Sequence, residues 1–208
     1  MPRPLRIQDA GHLHHVICLG NDRQTIFKSH KDFSEYLSLL DQSRKDYPVK
    51  IYNLVLLNNQ IHLLIEPAEE GSMSRFMEHL SKGYAKYFNK THSHFGHVFQ
   101  GRFKSFLVQD NKYFFLCSRY IDLNPVKTQI VTDARLYEWS GHNVLAYGKK
   151  GPISLDQHIL YQNLGKVPEE RHIAYRALVQ NYQGEDLDLA NRRVCILGDK
   201  EFKMRFKS

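Results

Sequence analysis

The stretch VKIYNLVLLNNQIHLLI, residues 49–65, decides the fold of this chain. Its first nine residues are rich in β-branched and aliphatic side chains and follow Pro48, and residues 61–65 are again apolar up to Glu66-Pro67. Asn58 and Asn59, between the two runs, form a strong signal for a tight turn. The stretch therefore predicts a β-hairpin whose second strand stops at Glu66-Pro67.

Helical and strand patterns surround this hairpin on both sides. A helix is predicted at residues 29–46 with Ser29 as its cap, and a second begins at Ser72 or Ser74 and has inward-facing side chains from Met73 to Tyr87. Further strands are predicted at residues 13–19 and 103–108, and a third helix at residues 111–124, ended by Pro125. This order fits an α+β fold of the ferredoxin-like split β-α-β type, an antiparallel sheet with helices on one face.

The pattern loosens after residue 130. Residues 139–147, 156–164 and 169–182 look helical, and a short basic tail begins at Arg192. We therefore expect a domain at residues 1–130 and a mainly helical C-terminal extension at residues 131–208.

The composition favours a polyanionic partner. The formal net charge is +7, from 29 Lys and Arg against 22 Asp and Glu, which is typical of proteins that bind nucleic acid or anionic surfaces. Three widely spaced cysteines suggest neither a disulfide framework nor a structural zinc pair. We find no signal peptide and no apolar run long enough to span a membrane, so the expected location is the cytoplasm.

The second strand of the hairpin carries a candidate metal ligand. Alternation places Ile61, Leu63 and Ile65 on one face, toward the helices, and Gln60 and His62 on the other, exposed face. An imidazole beside an amide on an open sheet face can bind a metal and still leave room for substrate. The alternative is an ordinary surface histidine with a local hydrogen bond.

The third predicted helix carries a candidate nucleophile. Tyr120 and Asn124 are four residues apart and share one helical face. A tyrosine can form a covalent intermediate, but its free pKa of about 10 requires help from a metal or from cations. Arg119 and Lys127 lie nearby and can neutralise phosphate. Alternatively, Tyr120 is one of twelve tyrosines and packs in the core.

Two further groups of residues suggest contacts with single-stranded nucleic acid, which is bound by basic grooves and stacking rings. Arg102, Lys104 and Phe106 interleave charge and aromatic rings around the fourth strand. Lys82 and Lys86 form a basic stripe on the second helix, which is equally explained as a solvated face. The histidines at positions 92, 94 and 97 are interpreted as part of a polar loop.

The chain as a whole resembles the single-tyrosine HUH transposases, and in particular the insertion-sequence and REP-associated tyrosine transposases. Eight segments carry the resemblance in order along the chain: PRPLRI (2–7), GHLHHV (11–16), GNDRQTIF (20–27), QIHLL (60–64), FQGRFKS (99–105), RYIDLNPV (119–126), EWS (138–140) and ILGDKEF (196–202).

The resemblance implies an activity and a set of site residues. Tyr120 would attack a DNA phosphodiester, leaving a 5′-phosphotyrosine and a free 3′-hydroxyl. Mg²⁺ or Mn²⁺ would be held by a His-hydrophobic-His motif, matched here by Gln60 and His62, and by Asn124. The partner would be single-stranded DNA with REP-like hairpins, and the protein a monomer or homodimer.

Gln60 departs from the family pattern, which has histidine at this place. A glutamine oxygen suits a hard cation such as Mg²⁺ but is a poorer ligand for softer metals. The sequence therefore leaves three readings open: an active transposase, a catalytically impaired or domesticated protein that binds hairpin DNA or RNA, or a basic ferredoxin-like domain that does not bind nucleic acid.

Overall fold

The computed structural model describes residues 10–180 and 196–206. These residues form one five-stranded sheet in the order β2-β3-β1-β4-β5, antiparallel except for the short parallel pair β4–β5. The predicted α+β fold with an antiparallel sheet is confirmed. The strands are β1 (Leu13–Leu19), β2 (Val49–Leu57), β3 (Gln60–Pro67), β4 (Lys104–Val108) and β5 (Ile196–Leu197).

Helices connect and cover these strands. The first, α1, begins at a capping box in which Ser29 and Asp32 each bind the other's backbone. None of the described helices is long and apolar enough to cross a membrane. The helices are α1 (His30–Asp46), α2 (Ser72–Thr91), α3 (Lys112–Lys127), α4 (His142–Tyr147), α5 (Ile159–Gln162), α6 (Pro168–Gln180) and α7 (Lys200–Arg205).

The predicted hairpin is formed by β2 and β3. Leu57 pairs with Gln60 across the turn, and the ladder continues to a Val49–Pro67 pair. The expected stop at Glu66-Pro67 was wrong, because β3 includes both residues. A proline is tolerated as the last residue of a strand, and here the Pro67 carbonyl accepts the Gly11 N–H at 2.8 Å.

The sheet is covered on both faces. Ile61, Leu63 and Ile65 pack against α1 and α2, as predicted. The opposite face is not exposed, and the expectation of helices on one face was wrong. Apolar side chains of α3, α4 and α6 pack on it, around Val55 and Leu64. The cover comes from segments distant in sequence, so the alternation within β3 did not reveal it.

Helix α3 does not end before Pro125. It continues to Lys127, and the Thr128 N–H still bonds to the Asn124 carbonyl at 2.9 Å. A proline lacks the N–H that would bind the carbonyl four residues earlier, and near the end of a helix this removes a single bond. The helix therefore extends beyond the predicted stop.

The region after residue 130 packs closely on the sheet. Residues 139–140 lie alongside β2, where Ser140 bridges to Val55 and the Leu56 N–H bonds to the Trp139 carbonyl at 3.0 Å, so α4 begins only at His142. The predicted helix at residues 156–164 is a single turn, α5, while α6 begins one residue before the predicted third segment and is described to Gln180. Tyr182, residues 192–195 of the basic tail and the motif at residues 2–7 lie outside the described residues, while the tail from Ile196 contributes β5 and α7.

A buried carboxylate joins α3 to this region. Asp122 accepts hydrogen bonds from Asn53 on β2 at 2.8 Å, from His142 on α4 at 2.9 Å and from the Tyr175 hydroxyl on α6 at 2.7 Å. Burial by itself would lower the pKa of His142, but the charge and hydrogen bond of Asp122 raise it above its usual value. One charged group therefore holds four elements together, two residues from Tyr120.

Candidate active site around Tyr120

A cleft of about 420 Å³ opens where β1 ends and β3 and β4 begin. The antiparallel register brings these strand ends together, since Leu19 pairs with Gln60 and Ile17 pairs with both His62 and Lys104. Helix α3 lies over the same face and contributes Tyr120. The lining residues are Ile17, Leu19, Arg23, Asn59, Gln60, His62, Gln100, Lys104 and Tyr120.

Tyr120 is half-buried at the wall of this cleft. Its ring packs edge-on against two imidazoles, with centroid distances of 5.6 Å to His62 and 5.7 Å to His15. The Lys127 ammonium lies 5.2 Å from the centre of the same ring. Tyr120 therefore packs against two imidazole rings, borders the cleft and lies next to the Lys127 ammonium.

His62 and His15 form a buried pair beneath Tyr120. His62 Nδ1 and His15 Nε2 are 3.1 Å apart, and the two residues are at most 1% exposed. Burial lowers the pKa of His62 to about 3, and burial together with the neighbouring His62 also lowers the pKa of His15 well below its usual value. Both rings are therefore neutral near pH 7, and a neutral imidazole carries a lone pair that can bind a metal.

His15 was not among the residues predicted for the site. It lies on β1 on the same face as Ile17, diagonal to His62 across the β1–β3 pair. Diagonal neighbours on one sheet face are within reach of long side chains. The sequence signal for His15 was its position beside His14 in a predicted strand. Only the register of β1 on β3 shows that its partner is His62.

The predicted metal ligands are brought together in part. Gln60 and His62 both line the cleft. Asn124 does not line it. It is 4% exposed, and its amide nitrogen donates to the Tyr120 backbone carbonyl at 3.1 Å. Within residues 10–180 and 196–206, no group of three His, Cys, Asp or Glu side chains is arranged to hold a metal.

The predicted DNA-binding residues differ in their surroundings. Lys104 lines the cleft, and Arg102, two residues before Lys104 in the chain, is exposed. Arg119 donates from Nε to the Val179 carbonyl at 3.0 Å, so it fastens α3 to α6. Phe106 is 3% exposed and lies 6.1 Å from the His15 ring, and this burial leaves its ring inaccessible to a base.

Lys82 and Lys86 lie farther from the cleft. Both are exposed on α2, which packs against the sheet face opposite α3. Lys82 also pairs with Glu78 one turn away. These two lysines therefore belong to a separate basic surface.

Arg23 is a cation of the cleft that the sequence did not indicate. Arg23 belongs to the turn that follows β1 and begins at Gly20, where any Cβ would collide with the Gln24 carbonyl oxygen. In the same turn, Asp22 and Arg23 have positive φ angles of 47° and 58°. Such left-handed backbone is unfavourable for residues other than glycine and is common at functional sites. The turn directs a positive charge into the cleft beside Gln60.

One solved structure agrees with this fold, and a second is similar only at a lower TM-score. A solved structure described as a REP-associated tyrosine transposase bound to a REP hairpin is similar, with a TM-score of 0.58 and 20% identity over 76% of this chain and 94% of that chain. A putative transposase from Deinococcus radiodurans R1 gives a TM-score of 0.41 and 13% identity over 53% of this chain and 89% of that one. No curated protein matches the chain.

The family described as IS200-like transposase matches residues 10–124, more than half of the chain. This range includes β1 to β4, the candidate ligands Gln60 and His62, and Tyr120. The resemblance to the single-tyrosine HUH transposases is thereby confirmed. The chain belongs to the IS200-like transposase family.

Proposed function

We propose that this transposase cleaves and rejoins single-stranded DNA through a 5′-phosphotyrosine on Tyr120. The observation that carries the proposal is the position of Tyr120 on the wall of a basic cleft, beside His62, Gln60 and Lys104. Nucleophile, candidate ligands and cations therefore border one volume large enough for a phosphodiester.

The reaction exchanges one phosphoester for another. The Tyr120 oxygen bonds to phosphorus and its proton is lost, while the bond to the 3′ oxygen breaks and that oxygen gains a proton. A 3′-hydroxyl from another strand reverses these steps, so no nucleotide cofactor is consumed. Lys104, Arg23 and Lys127 supply positive charge for the phosphate oxygens, where negative charge develops.

The residues at the cleft fit a divalent cation, Mg²⁺ or Mn²⁺. His62 Nε2 is buried without a hydrogen-bond partner, although buried polar atoms are generally paired. Gln60 lines the same cleft, and its amide oxygen can bind a hard cation. Asn124, which the resemblance implies as a third ligand, does not line the cleft, and its side-chain nitrogen is bonded to the Tyr120 carbonyl, so we do not count it among the ligands. When bound, the cation would neutralise charge and polarise the scissile phosphate.

The cation is expected to bind tightly only together with DNA. None of the described residues that line the cleft is a carboxylate, whereas Mg²⁺ sites draw on carboxylates and substrate phosphates. Mn²⁺ titrations followed by electron paramagnetic resonance should show weak binding to the protein alone and stronger binding with a hairpin oligonucleotide. Gln60→His should raise the affinity about tenfold or more, because it adds an imidazole ligand.

Asn59→His is the matched control, since it adds a histidine to the same cleft one position earlier. It should leave Mn²⁺ affinity nearly unchanged. Equal Mn²⁺ affinity with and without DNA would show that the protein alone supplies the ligands.

DNA binding is expected to depend on Lys104. Lys104→Ala should weaken binding of a single-stranded oligonucleotide and reduce the slope of log affinity against log salt by about 1, since one phosphate contact is lost. Lys82→Ala and Lys86→Ala test whether the basic surface on α2 also contacts DNA. Fluorescence anisotropy at several salt concentrations measures all three.

Lys45→Ala, an exposed lysine in the last turn of α1, is the control and should leave the slope unchanged. An unchanged slope in Lys104→Ala would remove this residue from the interface.

The preferred DNA is expected to contain a hairpin. The similar REP-associated transposase is described as bound to a REP hairpin. For this chain, the proposed function is tested by incubating a labelled hairpin oligonucleotide, with single-stranded flanks, with protein and Mn²⁺. A covalent adduct on a denaturing gel supports the proposal, and an unstructured oligonucleotide of equal length should give less adduct.

A second candidate function is favoured by Gln60, which replaces the first histidine of the metal motif. A chain with an impaired metal site would bind hairpin DNA or RNA without cutting it. Tight binding without adduct in the wild type, with adduct restored by Gln60→His, would identify this function.

A further inference from the structure

The His15–His62 pair contains two ring nitrogens whose state decides what the cleft can bind. Of the four nitrogens, His62 Nδ1 and His15 Nε2 face each other at 3.1 Å. The other two, His62 Nε2 and His15 Nδ1, are buried without hydrogen-bond partners. A hydrogen bond between two imidazole nitrogens needs an N–H on one and a lone pair on the other, so when each ring carries one proton, the direction of the bond fixes the state of the remaining two atoms.

Two arrangements satisfy the contact. If His62 Nδ1–H donates to His15, then His62 Nε2 has a lone pair and His15 Nδ1 carries a buried proton. If His15 Nε2–H donates to His62, then His62 Nε2 carries the proton and cannot bind a cation. Each arrangement leaves one N–H and one lone pair unmatched, so whatever approaches His62 Nε2 from the cleft can select between them.

We propose that His15 is a positioning residue that accepts the His62 Nδ1 proton and thereby presents the lone pair of His62 Nε2 to the cation. The proposal rests on the proposed function. Residues that bind the second nitrogen of a ligating histidine fix its tautomer and ring orientation, usually as a carboxylate or carbonyl. Here, a neutral imidazole on the neighbouring strand occupies that position.

The packing supports the same assignment. His15 is fully buried, makes no part of the cleft lining and contacts the Tyr120 ring at 5.7 Å. His62 lines the cleft and contacts the same ring at 5.6 Å. His15 can therefore act on the cleft only through His62 and Tyr120, both of which it contacts.

The tautomer can be read directly by long-range ¹H–¹⁵N correlation of the histidine rings in ¹⁵N-labelled protein, with His62 assigned from a His62→Gln spectrum. In the presence of diamagnetic Mg²⁺ and the hairpin oligonucleotide, we expect His62 to carry its proton on Nδ1. A proton on His62 Nε2 in that sample would overturn the proposal. This measurement uses the wild-type chain and requires no turnover.

Variants provide the second readout, Mn²⁺ affinity in the presence of DNA. His15→Phe keeps a ring but cannot accept the proton, and it should lower affinity about 10- to 100-fold. His15→Gln retains an acceptor oxygen and should recover part of the loss. The matched control is His14→Phe, which replaces the adjacent buried histidine, bonded to Ser105 and not to His62.

His15→Phe with wild-type affinity, or His14→Phe with an equal loss, would overturn the proposal. Absence of an adduct in the wild type would instead count against the proposed function, while the His62 tautomer would still decide the role of His15.

Discussion

Tyr120→Phe is expected to abolish the covalent protein–DNA adduct and to lower the rate of strand cleavage by about 10³-fold or more, because no oxygen remains to attack phosphorus. The phenylalanine ring can still pack against His15 and His62 and beside Lys127. The variant should therefore fold normally and bind the hairpin oligonucleotide with nearly unchanged affinity. A denaturing gel measures the adduct, and fluorescence anisotropy measures binding.

Tyr113→Phe is the matched control. Tyr113 lies on the same helix, two turns earlier, is half-buried, and is not among the residues lining the cleft. It should retain full adduct formation. If Tyr120→Phe still forms the adduct, another residue is the nucleophile and the assignment of the cleft as the active site is wrong.

Asp122→Ala is expected to lower the free energy of unfolding by about 3–5 kcal/mol. The substitution leaves His142, Tyr175 and Asn53 buried without their shared acceptor. Breaking a buried charge network costs more than an ordinary hydrogen bond, because the remaining polar groups stay desolvated. For a chain of this size, the midpoint of thermal unfolding should fall by roughly 6–20 °C.

Asp41→Ala provides the control for this measurement. The Asp41 side chain is 50% exposed and reaches Arg44 only at 3.9 Å, so its loss should change stability by less than about 0.5 kcal/mol. Equal thermal midpoints for the two variants would show that Asp122 does not hold α3 in place.

Local sequence patterns predicted most of the elements. The apolar runs on either side of Asn58-Asn59 predicted β2 and β3, and helical spacing after Ser29 predicted α1 to its last residue. Two of the errors at element ends, those at Pro67 and Pro125, have a common cause. Proline removes only one hydrogen bond, and near the end of an element that loss is tolerated.

The short strand β5 was not predicted. It has two residues, Ile196 and Leu197, and pairs with Leu107 and Val108 of β4. A pair of apolar residues has no periodicity to detect, and its pairing depends on a chain segment nearly ninety positions away in sequence. Residues 196–197 form a strand only because they pair with β4 at the edge of the folded sheet.

For the site, the sequence by itself determined which face of β3 carries Gln60 and His62, and it singled out Tyr120. Strand alternation and motif resemblance require only neighbouring residues, so these predictions needed no tertiary contacts. The tertiary structure alone decided that α3 covers this face, that His15 contacts His62, and that Arg23 enters the cleft. Such contacts depend on strand register and on packing between distant segments, which local periodicity does not encode.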